Sequence, residues 1–506
     1  MNKKLTPINE LKKRLLEITH LTSLLSLAGW DQNVYMPAGA SQARALALAE
    51  LSSLIHGKFV NIDSDGLLTK LYRELKAGKL SAQDRVVVGE IWRDFEREIK
   101  LPDAFVREMT EVSSKSEMVW AEARKKNDFA MFLPWLEKIV KLKRQEAKYI
   151  GYKNSPYDAL IDTFEPGMTT DEAAKILDDL KDFLVPFIAK IKKSKLKIDP
   201  KKLIGKFPID KQMAFNESVV GKMGFDLEAG RIDKTTHPFE TALHPTDVRI
   251  TTRYRENDAL YSLGSIIHEA GHGLYDQGMN PEHFGTPLAE MISHGIHESQ
   301  SRMWENIIGK SEAFWKYFYP KLQKEFAKPF KAVSLSDFYR IINKVSPSLI
   351  RTESDEVTYN LHIIMRFEIE REMIEGTIDL KDLPKIWQAK MEQYFGIKVP
   401  NNSLGILQDV HWSGGLIGYF PTYTFGNLYS AQFFAALKKD IPRVDKQMAT
   451  GKFGEIREWL RKNIHAHGKT YKASDLVKKV TGEELNSKYF IDYLKEKYSK
   501  IYSLKD

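Results

Sequence analysis

The 506-residue chain contains no cysteine, which excludes disulfides, thiol nucleophiles, iron–sulfur clusters and thiolate zinc sites. Any metal must therefore be held by histidine and carboxylate side chains. Neither sign of charge dominates: 76 Lys+Arg against 68 Asp+Glu leave a formal charge of +8, and 28% of the residues are charged. Such a balance describes a mixed soluble surface and argues against nucleic acid as the partner. Uncharged runs are few. The longest, Val410–Leu437, lacks Asp, Glu, Lys and Arg for 28 residues, but Gly414, Gly415, Gly418, Pro421, Gly426, His411 and Asn427 make it a poor membrane span. The basic N-terminus is interrupted by Glu10 and Glu17, so no secretory signal is expected. No membrane and a cytoplasmic location are the expectation.

Strand-like alternation is also scarce, whereas the 3.6-residue apolar period of helices runs through most of the chain. The fold class is mainly α. Helices are expected over 5–30, 41–56, 82–99, 102–126, 132–150 and 170–193, the last capped by Thr170. Further helices are expected over 257–278, 287–308, 310–328, 335–346, 355–375 and 381–395, with a helical tail over 450–506. Lys190 to Lys206 carries eight lysines and reads as a solvated connection. Residues 237–257 alternate Val248, Ile250 and Thr252 with Arg249, Thr251 and Arg253, which predicts a small β element. Residues 400–430, rich in glycine and aromatics, read as irregular chain lining a cavity. The organisation expected is a single body over 1–506, divisible into an N-terminal helical lobe (1–200) and a catalytic lobe (201–506).

The chemistry concentrates after residue 236, where seven of the 13 histidines fall between His237 and His297. His268-Glu269-Ala270-Gly271-His272 places two imidazoles one helical turn apart on one face, the spacing with which zinc peptidases converge on a single ion. Glu269 points beside them, free to act as general base without occupying a ligand position. Gly271 and Gly273 within a helix predict close approach of another backbone or of substrate. The following helix offers Glu290, His294, His297 and Glu298 for a third ligand. Glu298 is preferred, giving the His₂Glu set of hydrolytic zinc sites, although spacing alone does not separate it from Glu290.

HEAGHGLYDQG at 268–278, HGIHESQSRMWEN at 294–306, IRTESDE at 350–356 and GILQDVHW at 405–412 together resemble the thermostable metallocarboxypeptidases of the carboxypeptidase Taq family. HPF at 237–239, DVRIT at 247–251 and WDQNVYMP at 30–37 resemble its patterns too. The resemblance implies a large helical zincin-type metallopeptidase with a deep substrate groove, forming a homodimer and removing residues singly from peptide C-termini with broad specificity. It implies His268, His272 and Glu298 as metal ligands and Glu269 as catalytic acid/base acting through a metal-activated water. Arg351 corresponds to the residue that receives the terminal carboxylate, a task for which a guanidinium fork is suited; an ion pair with Glu353 or Asp355 is the plainer reading. His237, His411 and Tyr423 correspond to substrate contacts. Asp409 either orients one of these groups or caps a turn, and Asp247 with Arg249 holds the β element.

One divalent ion per chain is expected, with zinc favoured and cobalt or manganese compatible with the same ligands. Two departures stand out. Ser354 replaces the usual alanine of the third motif, and Arg302 stands four residues after Glu298, where many His₂Glu peptidases carry an aspartate that orients a ligand histidine. Asp355 is a candidate for that orienting task. The rival enzymatic reading is a helical oligopeptidase cutting internal bonds of short peptides with the same metal core.

Overall fold

The computed structural model describes residues 5–504, so the first four and last two residues of the expected terminal stretches lie outside it. The architecture is mainly helical with one small sheet, as the apolar period predicts. Several helices begin where expected because short polar side chains cap them. Ser81 caps Ala82–Ile99, Asp128 caps Phe129–Ile150 and Asp258 caps Ala259–Asp276. The cap of Thr170–Lys192 is Thr169 rather than Thr170, and with Glu172 it forms a reciprocal capping box.

The expected helix over 287–308 is shorter and composite. A single turn at Pro287–Ala289 is followed by extended chain, and Ser293 caps a fresh helix, His294–Arg302, that runs into a π-helical stretch, Met303–Ile308. Pro287 tolerates only a helix start, and the cap at Ser293 resets the register. The expected irregular segment 400–430 is also only partly so. Turns occupy 405–420, after which Pro421 opens a buried 20-residue helix, Pro421–Asp440. Glycine and aromatic content concealed it because this helix is buried all round and shows no amphipathic period.

The β element is three-stranded in the order β1-β3-β2, with β1 Gly230–Lys234 parallel and β2 Glu240–His244 antiparallel to β3 Asp247–Thr252. β1 precedes the predicted segment. Arg249 donates to Asp247 within β3 and lies over the Trp30 ring, so this pair does hold the element to the N-terminal helix Pro7–Val34.

The core falls into two clusters. The larger runs from Ala123 to Tyr502 and contains the motif helix Ala259–Asp276, the candidate ligand helix His294–Arg302 and the helix Pro421–Asp440. A smaller one gathers Leu11, Leu15, Leu68, Val87, Val88 and Ile91 of the N-terminal helices, closed by Leu288. The helix Ser41–Val60 has no buried residue. Among the described residues no helix is long and apolar enough to cross a membrane.

Candidate metal and substrate site

The motif helix and the ligand helix meet at glycines. A Cβ on Gly271 would lie 2.6 Å from Ser301 Cα and 2.8 Å from the Gln300 carbonyl, so only glycine lets the two backbones touch here. Gly273 makes the same allowance for Phe225 and Ile250. On the far side of the ligand helix, a Cβ on Gly426 would lie 2.4 Å from Glu298 Cγ, which packs Pro421–Asp440 directly onto that carboxylate.

This packing brings His268, His272 and Glu298 together. Nε2 of His268 and Nε2 of His272 lie 3.6 and 3.4 Å from the same oxygen, Oε2 of Glu298. Tetrahedral ligation with bonds of about 2.0–2.2 Å requires donor atoms roughly 3.3–3.6 Å apart, so both histidine–glutamate spacings suit one zinc-sized ion, and all three donor atoms lie within 4.8 Å of one another. Glu290 is not among them. It precedes the helix start at His294 and pairs with Lys469 at 2.6 Å.

The buried surroundings of the cluster carry both signs of charge. Burial opposes a charge on His268, but Glu298, then Glu305 and Glu269, outweigh it and raise its pKa to about 9. Burial lowers His272 to about 3, and His297 adds to the effect. Glu298 is held well below its usual range in spite of its burial, chiefly by Arg302 and then by His268 and His272. Glu269 is buried and pushed up to about 7 by desolvation, partly relieved by His268 and reinforced by Glu298 and Glu305. These values belong to the metal-free arrangement and describe how tightly the acids and bases are clustered.

Glu305 and Arg302, rather than Asp355, orient the cluster. Oε2 of Glu305 lies 2.9 Å from Nδ1 of His268, and Arg302 Nε donates to Oε1 of Glu298 at 2.6 Å. Asp355 instead accepts backbone hydrogen bonds from Ser346, Val357 and Thr358, organising its own loop. His297 stacks on His272 with ring centroids 4.2 Å apart, and its Nε2 lies 3.1 Å from Oδ2 of Asp276. His294 packs edge-on against Phe164 and Tyr419.

A second group of residues lies beyond Glu298. The Arg302 guanidinium sits over the Tyr359 ring, and the Tyr359 hydroxyl accepts from Arg351 Nη1 at 2.9 Å. Arg351 is buried and pairs neither with Glu353 nor with Asp355: its Nε and Nη2 both donate to Oδ1 of Asp409, at 3.1 and 2.9 Å. Tyr423 lies under the same guanidinium, 4.9 Å from ring centroid to Cζ, and its hydroxyl is 3.3 Å from Nε2 of His411. Burial, then Arg351, lower His411 to about 4, so its imidazole is neutral. Tyr419 packs against both His294 of the ligand helix and Tyr423, with ring centroids 5.3 Å apart in each case, which ties this aromatic group to the helix that carries Glu298. His237 is exposed, in the turn just ahead of β2, and is not part of either group. A cavity of about 570 Å³ opens between Asp276 and His294 on the catalytic side and Ser23, Ser26 and Arg93 on the N-terminal helices.

The sequence model of the carboxypeptidase Taq (M32) metallopeptidases matches residues 10–498. The chain belongs to this family. It is thus a metal-dependent peptidase, and the likeness extends over both sequence and fold. It is 39% identical over 490 residues to carboxypeptidase 1 of Bacillus subtilis, covering 97% of each chain. It is 40% identical over 500 residues to thermostable carboxypeptidase 1 of Pyrococcus furiosus, covering 96% of each. The crystal structure of the M32 carboxypeptidase from Deinococcus radiodurans superimposes with a TM-score of 0.95 at 38% identity, covering 99% of this chain and all of that one.

Proposed function

We propose that this member of the family removes C-terminal residues from peptides with broad specificity, using one metal ion held by His268, His272 and Glu298, with Glu269 as general base and acid. The observation that carries the reading is the pairing of a three-residue His₂Glu cluster with a buried, tyrosine-lined arginine, Arg351, joined to it through Arg302 and Tyr359. The metal, with zinc favoured by the His₂Glu donors and cobalt or manganese compatible, supplies the Lewis acidity that activates water and polarises the scissile carbonyl.

The remaining steps fall to the chain's own residues. Arg351 receives the substrate's terminal carboxylate on the edge that Asp409 leaves free, which fixes the last peptide bond beside Glu269. Glu269 takes the proton from the attacking water and returns it to the departing amine. Neutral His411 and Tyr423 donate hydrogen bonds to the reacting end of the peptide, and His237 contacts its backbone from the turn before β2. The residues upstream of the cut lie in the cavity walled by the N-terminal helices. An internal peptide bond offers the Arg351 guanidinium no carboxylate for the donors that Asp409 leaves free, which disfavours the oligopeptidase reading.

The protein is further proposed to act in the cytoplasm as a thermostable homodimer, and the helix Ser41–Val60, with no buried side chain of its own, suits a partner surface. Digestion of one peptide as free acid and as C-terminal amide, followed by mass spectrometry, tests the function. Single-residue losses from the acid alone are expected; internal fragments from both forms would overturn the reading.

A further inference from the structure

Arg351 has a feature that its proposed task does not explain by itself. A guanidinium paired one-to-one with a buried aspartate is neutral as a unit, and a neutral unit attracts a carboxylate weakly. Asp409 is not shared by Arg351 alone. Its Oδ2 accepts from Nε of Arg366 at 2.8 Å and from Nη2 of the same residue, while Oδ1 serves Arg351. The Arg366 side chain is 1% exposed, against 7% for Arg351 and 14% for Asp409, so Arg366 lies behind the aspartate and out of reach of substrate. It is locked there by donation from Nη1 to the His362 carbonyl at 2.7 Å, and it lies over the rings of Trp387 and Phe420, 4.6 and 5.3 Å from their centroids.

Among the described residues no second carboxylate is hydrogen-bonded to either guanidinium. Glu370, one helical turn after Arg366, is committed to Tyr157, Trp412 and the Gly418 amide. His362 is kept neutral by its burial, with Arg366 adding to the effect. The hydrogen-bonded cluster of two guanidinium groups and one carboxylate therefore carries a net charge of one, and Arg351 is the less deeply buried of its two cations.

We propose that Arg366 is a positioning residue for the carboxypeptidase reaction: it neutralises Asp409 from behind, so that Arg351 is held in place by the aspartate yet stays cationic toward the substrate's terminal carboxylate. This rests on the reading of Arg351 given above. Arg366 touches neither substrate nor metal in this scheme. Its contribution appears in binding of the free carboxylate and not in the chemical step.

The test is a charge-restoring pair of variants assayed on a free-acid peptide in the metal-loaded enzyme. Arg366→Met should raise KM about tenfold or more with kcat within about threefold of the parent, and Arg366→Lys should recover part of the loss. Arg366→Met combined with Asp409→Asn restores the net charge of one with no buried carboxylate, and KM should return to within about threefold of the parent. Should the single variant not fold, the double variant and Arg366→Lys decide the matter. A KM unchanged in Arg366→Met, or a double variant no better than about tenfold weaker than the parent, overturns the proposal. Arg351→Met separates this from the underlying reading: it should abolish the preference for acid over amide, and if that preference survives, it is the role of Arg351 that fails.

Discussion

Glu305 Oε2 lies 2.9 Å from His268 Nδ1, reaching it from the π-helical stretch seven residues beyond Glu298. An ionised carboxylate can only accept, so Nδ1 carries the proton and Nε2 keeps its lone pair on the side of Glu298, where the proposed ion would bind. Glu305→Ala should weaken metal binding by roughly 10–100-fold while leaving the fold intact. Competition with a chromophoric chelator measures it, and an unchanged affinity would show that His268 is oriented without Glu305.

A methyl group at Gly426 has nowhere to go but into Glu298, whose Cγ lies 2.4 Å from the position it would take. Gly426→Ala should therefore lower metal content and activity together. Gly264, on the motif helix, has nothing within 4 Å of such a methyl group. Gly264→Ala should stabilise the protein by about 1 kcal/mol through helix propensity. Thermal unfolding and metal analysis of the two variants distinguish a crowded glycine from a merely flexible one.

Glu165 supplies the pH dependence of the same region. Burial pushes its carboxyl up to about 7, although Tyr429, Ser293 and the Gly295 amide all donate to it at the start of the ligand helix. A folded-state pKa above the unfolded one means that the native protein binds the extra proton between about pH 4.5 and 7. Stability from this group is thus full below about pH 4.5 and is lost as pH rises to about 7, by an amount on the order of 3 kcal/mol. Denaturant unfolding at pH 5 and pH 8 should show this slope in the parent and a flatter one in Glu165→Gln. Equal slopes would remove Glu165 as its source.

How much of this could be read beforehand follows the range of the interactions. His268, Glu269 and His272 are one helical turn apart, and local geometry suffices to bring them together. Glu298 was legible as a residue type at a plausible distance, but its separation from Glu290 depended on the Ser293 cap and the proline before it, which end one register and begin another. Arg302, four residues from Glu298, shares its helical face and could have been found by extending that face another turn, whereas Glu305 reaches His268 from the π-helical stretch. Asp409 lies 58 residues from Arg351 and 43 from Arg366, and no local pattern announces a pairing made by packing across the core. The buried helix after Pro421 escaped for a related reason, since apolar residues on every side erase the period by which helices are recognised.

The central claim, that Glu269 moves the proton in hydrolysis, is tested most directly by Glu269→Gln, which keeps the shape and the neighbouring ligands. Single-turnover release of the C-terminal residue from a free-acid peptide should fall by about 10²–10⁴-fold, with metal content equal to that of the parent. A variant that binds metal normally and hydrolyses within about tenfold of the parent would contradict the account.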